Sequence, residues 1–180
     1  MRIVAGNLRH RKIEMTNLET TRETQDKVRQ AIYNMIGPYF DGGKCLDLFA
    51  GSGAMAFEAY SRGMEYIVLN DLNKDALKIC KLNATNLGIK NAAFYNLDYQ
   101  DFVKKCDEKF DLIILDPPYK MNNIMDIIKD IYHLVNEKGI VVFEMGKESK
   151  YDETFNDLYL IKDKEYGIKR VVIYRREFSE

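Results

Sequence analysis

Apolar residues along this chain change their spacing several times, and each change marks an element. At the amino end Arg2-Ile3-Val4-Ala5 alternates polar and apolar positions, Gly6-Asn7 can turn, and Leu8 to Ile13 returns, which predicts a short extended hairpin. Thr20 with Glu23 three residues on fits a capping box. Behind it Val28, Ala31, Ile32, Met35 and Ile36 share one helical face until Gly37-Pro38 stops the helix. Short apolar runs then alternate with helical stretches. Strands are predicted at Cys45 to Phe49, Tyr66 to Leu69, Ala92 to Tyr95, Phe110 to Leu115 and Ile140 to Met145. Helices are predicted at Ala54 to Ser61, at about Lys74 to Asn86, and along Ile124, Ile127, Ile128, Ile131 and Val135. The tail, Leu158 to Tyr166 and Ile168 to Arg175, reads as two strands joined at Gly167.

Strand and helix in alternation imply an α/β fold of the Rossmann-like kind, a mostly parallel sheet with helices on both faces. The runs Leu112-Ile113-Ile114-Leu115 and Ile140-Val141-Val142-Phe143 do not alternate, as strands buried on both sides should not. Two final strands without a helix between them predict an antiparallel hairpin at one edge, for seven strands in all. Ligands of such sheets sit at the carboxyl ends of the strands. That rule gathers Asp47 to Gly53, Asp71, Asp98 and Asp116 to Tyr119, each just after an apolar strand. The predicted organisation is a hairpin extension at 1–18 on a domain at 19–180.

Composition narrows the picture. The 180 residues amount to about one domain, and 46% apolar residues are enough for a real core, which excludes a disordered chain. The net charge of −1 excludes a polycation, yet it is unevenly spread. Residues 1–30 carry seven Lys or Arg against four acids, whereas the remainder carries 20 against 24. Such asymmetry suits a polyanionic partner for the basic segment. Cys45, Cys80 and Cys106 lie far apart and form no C-x-x-C pair, so neither a disulfide framework nor a metal site is expected. No apolar run approaches the roughly 20 residues of a membrane span, and a cytoplasmic protein is the expectation.

Gly51-Ser52-Gly53, between a strand and a helix, admits close approach of a ligand to the backbone. With Ala56 it also matches a dinucleotide fingerprint, and Asp71 stands twenty residues past Gly51, where that motif has its acid. An NAD site therefore competes with an S-adenosylmethionine site. Asp47, four residues before Gly51, favours the latter: a carboxylate there suits a cationic amino-acid tail and crowds a pyrophosphate. Asp98 is placed to accept from an adenine amine. Phe49, Ser52, Leu72 and Tyr99 flank these positions and complete the candidate cofactor set.

Asp116-Pro117-Pro118-Tyr119 is the most specific signal. Two prolines fix two φ angles and remove two donors, which leaves a carbonyl to point into a site beside the acceptor Asp116. Tyr119 offers a ring to stack on a flat heterocycle. Two acceptors steering the hydrogens of a planar amine, and an aromatic floor beneath it, are what methylation of a conjugated nitrogen needs.

These motifs resemble one family over nearly the whole chain. Met1-Arg2-Ile3-Val4-Ala5-Gly6 with Arg11-Lys12, Thr21 to Arg29, Leu46 to Ala54 with Glu58-Ala59 and Ser61-Arg62-Gly63, and Phe110 to Tyr119 are similar to segments of the bacterial 16S rRNA guanine-N2 methyltransferases called RsmD, a class I S-adenosylmethionine-dependent family. Glu23 stands where that family has Pro, and Asp71 where it has Glu. The resemblance implies that Asp47, Gly51 and Gly53 line the cofactor, that Asp71 holds its ribose and Asp98 its adenine, and that Asp116 and Tyr119 hold the guanine. It also implies a monomer acting on guanine 966 of 16S rRNA within the small ribosomal subunit. Arg9, Arg11, Lys12 and Arg22 are the expected phosphate contacts, and the target base would be flipped out of its stack. Adenine-N6 or cytosine-N4 methylation of nucleic acid, glutamine methylation of protein, and a non-catalytic binding module remain the alternatives.

Overall fold

The computed structural model describes residues 1–16, 25–118, 120–121 and 123–177. Along them run α1 (Asp26–Ile36), β1 (Lys44–Asp47), α2 (Ala54–Ser61), β2 (Tyr66–Asn70), α3 (Lys74–Leu87), β3 (Ala92–Tyr95), α4 (Tyr99–Lys105), β4 (Phe110–Leu115), α5 (Ile124–Ile131), β5 (Val135–Gly146), β6 (Thr154–Phe155), β7 (Leu158–Tyr166) and β8 (Lys169–Arg176). One sheet holds all the strands in the order β3-β2-β1-β4-β5-β8-β7-β6. The first five strands in that order pair in parallel, and β8 joins β5 antiparallel, with β7 outside it. The two-residue β6 is one strand more than the sequence pattern predicts.

Each sheet face has its own core. Leu112, Ile114, Val142 and Ile173 point to the side covered by α1, α2 and α3, where they meet Ile32, Ala56, Cys80 and Ala84. The intervening Ile113, Leu115, Val141 and Val172 point to the side of α4 and α5 and meet Phe102, Ile127, Ile128 and Ile131. Burial on both faces explains why these strands are continuously apolar. In α5 the isoleucines at 124, 127, 128 and 131 make one buried stripe. Helix α3 starts under the Asn73 side chain, which accepts from Asp75 N and Ala76 N, and stops at Gly88 in a left-handed conformation. Thr20 and Glu23 lie outside the described residues. Helix α1 is described from Asp26, and its cap residue Gln25 makes no side-chain bond. Helix α4 was not expected. Its apolar face is only Tyr99, Phe102 and Val103, too short a stripe to show as periodicity.

The amino-terminal hairpin closes through an Arg2–Lys12 bridge and buries Ile3 and Ile13 in the core shared with α1, α2 and α3. Its anchor is Glu58 of α2, wholly buried. That carboxylate accepts from Val4 N at 2.9 Å, Ala5 N at 3.1 Å, Arg29 Nε at 3.0 Å and Arg62 Nε at 2.9 Å. At the turn Gly6 has φ +86°, and a Cβ there would fall 1.9 Å from the Ser61 carbonyl oxygen. Only glycine permits that approach. No helix among the described residues is long and apolar enough to cross a membrane.

Candidate active site

Parallel β1 and β4 are neighbours from which the chain departs in opposite directions across the sheet, so their carboxyl ends open a crevice. Asp47 closes β1 and is 2% exposed. The loop that follows turns on Gly51 and Gly53, with φ of 57° and 87°. A Cβ on Gly53 would lie 2.4 Å from the Phe57 ring and 2.8 Å from Cys80 Sγ, so the loop is pressed onto α2 and α3. Asp71, at the end of β2, receives Gly51 N on one oxygen at 2.8 Å and Asn73 N on the other at 2.7 Å. It therefore ties the glycine loop to the start of α3. Ser52 is buried, and its carbonyl accepts from Asn83 Nδ2 at 2.9 Å.

The third strand end is built similarly. Asp98 caps α4 by accepting from Gln100 N at 2.9 Å. Tyr99 is 5% exposed, its ring centre 5.6 Å from that of Phe49, and its hydroxyl donates to Asp130. Burial, and then the charge and hydrogen bond of Asp130, hold that hydroxyl above the ordinary tyrosine range. Leu72 stands out at 66% exposure on the same edge. Asn70, missed by the sequence reading, welds three strand ends: its amide donates to the Leu48 and Leu97 carbonyls and its oxygen accepts from Leu97 N. A buried polar residue directly ahead of Asp71 was the signal available.

After β4 come Asp116, Pro117 and Pro118. The Pro118 carbonyl accepts from Met121 N at 2.9 Å and closes a turn. The Pro118 carbonyl is thus engaged within its own loop. Tyr119 and Arg22 lie outside the described residues. A small cleft is lined by Asp116, Pro117, Pro118, Glu144, Met145 and Lys169, among others. Lys169 Nζ lies 3.9 Å from Asp116 Oδ2 and 3.9 Å from Glu144 Oε1. Glu144, given no role by sequence, carries the same signal as the other acids: it follows an apolar strand run.

The structure thus brings Asp47, Phe49, Gly51, Ser52, Gly53, Asp71, Leu72, Asp98, Tyr99, Asp116, Pro117 and Pro118 to one edge of the sheet. Arg9, Arg11 and Lys12 are elsewhere. The hairpin tip docks on Ser61, where Asn7 N meets the carbonyl and Leu8 N the hydroxyl. Ser61 ends α2, a helix about 12 Å long that begins at the glycine loop. Arg11 donates to the Asn86 carbonyl at the far end of α3, Lys12 pairs with Glu14 at 3.2 Å, and Arg9 is exposed.

Comparison with known proteins agrees with this architecture. The family model described as "Conserved hypothetical protein 95" matches residues 1–175. The chain is 38% identical to the Bacillus subtilis protein named "Putative rRNA methyltransferase YlbH", covering 98% of this chain and 99% of that one. It is 36% identical to Haemophilus influenzae "Ribosomal RNA small subunit methyltransferase D", covering 97% and 93%. The crystal structure of "putative methylase HI0767" from H. influenzae superposes with a TM-score of 0.80 at 29% identity, covering 98% of each chain. The fold is that of the Rossmann-like methyltransferases, and the chain belongs to the conserved hypothetical protein 95 family, the RsmD family of the sequence resemblance.

Proposed function

We propose that this protein transfers a methyl group from S-adenosylmethionine to the exocyclic N2 of a guanine in 16S rRNA, within the small ribosomal subunit. The family resemblance points to guanine 966. The observation that carries this reading is that Asp116-Pro117-Pro118 and the glycine loop follow two neighbouring parallel strands, β4 and β1, at the same edge of the sheet. Relatives named as ribosomal RNA small subunit methyltransferases, aligned over nearly the full chain, supply the substrate class.

The residues on the cofactor side fit that group. Asp47, Asp71 and Asp98 put three carboxylates at successive strand ends, suited to an ammonium, two ribose hydroxyls and an adenine amine in turn. Asp71 already serves two backbone amides, but an ionised carboxylate has about four acceptor sites. S-adenosylmethionine supplies an electrophilic methyl on a positively charged sulfur. Phe49 and the exposed Leu72 offer apolar surface to the adenine.

On the substrate side Asp116 accepts a hydrogen bond from the guanine amine. A backbone carbonyl of the same loop supplies the second acceptor. Together they orient the N–H bonds and turn the nitrogen lone pair out of conjugation, so that positioning and fixed dipoles supply the acceleration. Methyl transfer would leave neutral S-adenosylhomocysteine and a cationic N-methylated base, which is acidic and sheds its proton without a strong base. Tyr119 stacks on the flipped base. In this reading residues 1–18 are an RNA-contacting extension of a catalytic domain at 19–180, and Arg9, Arg11, Lys12 and Arg22 touch phosphates without reading sequence. The protein acts in the cytoplasm as a monomer.

The test uses labelled S-adenosylmethionine and small subunits from cells lacking the modification, followed by mass spectrometry of the nucleosides. N2-methylguanosine is the expected product. Label in adenine, cytosine or protein glutamine, or no label, would overturn the reading.

A further inference from the structure

The three charges of the cleft make a pattern that simple ion pairing does not explain. Lys169 Nζ is shut off from solvent and makes no hydrogen bond among the described residues. It stands 3.9 Å from one oxygen of Asp116 and 3.9 Å from one of Glu144, beyond the 2.7–3.2 Å or so of a protein N–H···O bond. An ammonium has three hydrogens to give, and burying one without a bond is costly. The group is poised for an acceptor that enters the cleft.

Strand register explains how the three residues meet. Leu115 of β4 pairs with Phe143 of β5, which makes Asp116 and Glu144 the next residues on adjacent strands. On the other side of β5, Glu144 pairs with Val171 and Gly146 with Lys169. Counting by twos from Ile114, Val142 and Val171, which share one core face, puts Asp116, Glu144 and Lys169 on that same face. The strands therefore deliver two acceptors and one donor side by side.

Guanine presents the complement. Along its Watson–Crick edge lie the 2-amino group, the N1–H and then O6, which is donor, donor, acceptor. Adenine and cytosine each present an acceptor nitrogen next to the exocyclic amine, and it would face a carboxylate. We infer that Glu144 and Lys169 are the specificity-determining residues for the base. Glu144 accepts from N1–H, Lys169 donates to O6, and Asp116 keeps the amine that is methylated. Glu144 also rejects adenine and cytosine, because their ring nitrogen lone pair would meet its oxygen with no proton between them. Lys169 stands beside both carboxylates and offsets their charge. The inference rests on the guanine-N2 reading above and goes further by naming what selects the base.

The experiment pairs protein and base substitutions. Small subunits are reconstituted with unmethylated 16S rRNA carrying either guanine or 2-aminopurine at the target. The analogue keeps the amine but has no O6 and no hydrogen on N1. Wild-type protein is expected to prefer guanine by at least about a hundredfold in kcat/KM, because a polar site left unmatched rejects such an analogue strongly. Lys169→Met and Glu144→Gln should each lower kcat/KM on guanine by about tenfold or more while barely changing it on 2-aminopurine, so the preference collapses. Lys169→Arg, which restores a donor, should recover part of it. Equal losses on both substrates, or an unchanged preference, would show a merely structural role and overturn the inference while leaving guanine-N2 methylation standing. Wild-type label on another base would overturn both. Binding of S-adenosylhomocysteine, measured by calorimetry, identifies any variant that has failed to fold, and the variants at the second position then decide.

Discussion

Asp116 is where geometry and chemistry converge in one side chain. Its carboxylate is about one-fifth exposed and lines the cleft with Pro117 and Pro118. In the proposed reaction, replacing it with Ala removes an oriented acceptor for the reacting amine, and loss of one such preorganised group costs on the order of 10²–10³ in kcat. We expect Asp116→Ala to lose that much methyl transfer to small subunits while S-adenosylhomocysteine affinity, read by calorimetry, stays within about twofold. At this scale much of the candidate site was legible. Asp47, Asp71, Asp98 and Asp116 all follow apolar runs, and a polar residue that ends a buried strand has to face the sheet edge. Lys169 was not legible, because its place depends on the register of β8 against β5, and nothing local in Ile168-Lys169-Arg170 encodes that pairing. The role of Asp98 as a helix cap was hidden for a related reason: α4, the helix it caps, has too few apolar residues to announce itself.

Elements are fastened to one another by buried charge as much as by apolar packing. Glu58 collects two backbone amides of the hairpin and two guanidinium groups, all at 3.1 Å or less. Removing one partner of such a cluster leaves uncompensated buried charge. Glu58→Ala should therefore destabilise the protein by about 3–5 kcal/mol, measured by urea unfolding, and hydrogen exchange at Val4 and Ala5 should accelerate. A second fastening holds the sheet edge. Asp157, between β6 and β7, accepts from Tyr132 beyond α5 and from Arg176 of β8. The Tyr132 hydrogen bond chiefly, then Arg176, hold the Asp157 carboxyl below its ordinary range against the opposing effect of burial. A carboxyl whose pKa is lower in the folded state contributes stability above its unfolded pKa, and that contribution is lost as the pH falls through the folded value. Thermal melts taken from about pH 5 down to about pH 1 should show a shallower acid decline for Asp157→Asn than for the parent protein. The longer helices were legible by their 3.6-residue period, and the parallel strands by their short continuous apolar runs. The two residues of β6 and the three-residue stripe of α4 fall below the length at which a period exists.

Across the whole molecule, charge and distance divide the labour. The net charge is −1, with a positive excess in residues 1–30, while Asp47, Asp71, Asp98 and Asp116 stand at the carboxyl edge of the sheet. In the proposed function, contacts through Arg9 and Lys12 grip phosphates roughly a helix length from the glycine loop. Replacing both with Glu should raise KM for the small subunit and lower the salt dependence of binding by about one logarithmic unit of slope per lost phosphate contact. S-adenosylhomocysteine binding should not change. Arg11 is less informative in such a test, because its guanidinium also holds the Asn86 carbonyl and its loss would loosen the hairpin.

The strand order carries a further consequence, one of timing. During synthesis β5 is finished at Gly146, but β7 is made before β8, and it is β8 that lies against β5. The outer edge of β5 therefore stays open while β6 and β7 emerge, exposing unpaired amides and carbonyls of the kind that recruit foreign strands. The strand that closes this edge is the one that begins with Lys169. Protection from misassembly and completion of the charge pattern in the cleft thus arrive in one step, so a nascent chain cannot display the finished cleft before its central sheet is sealed.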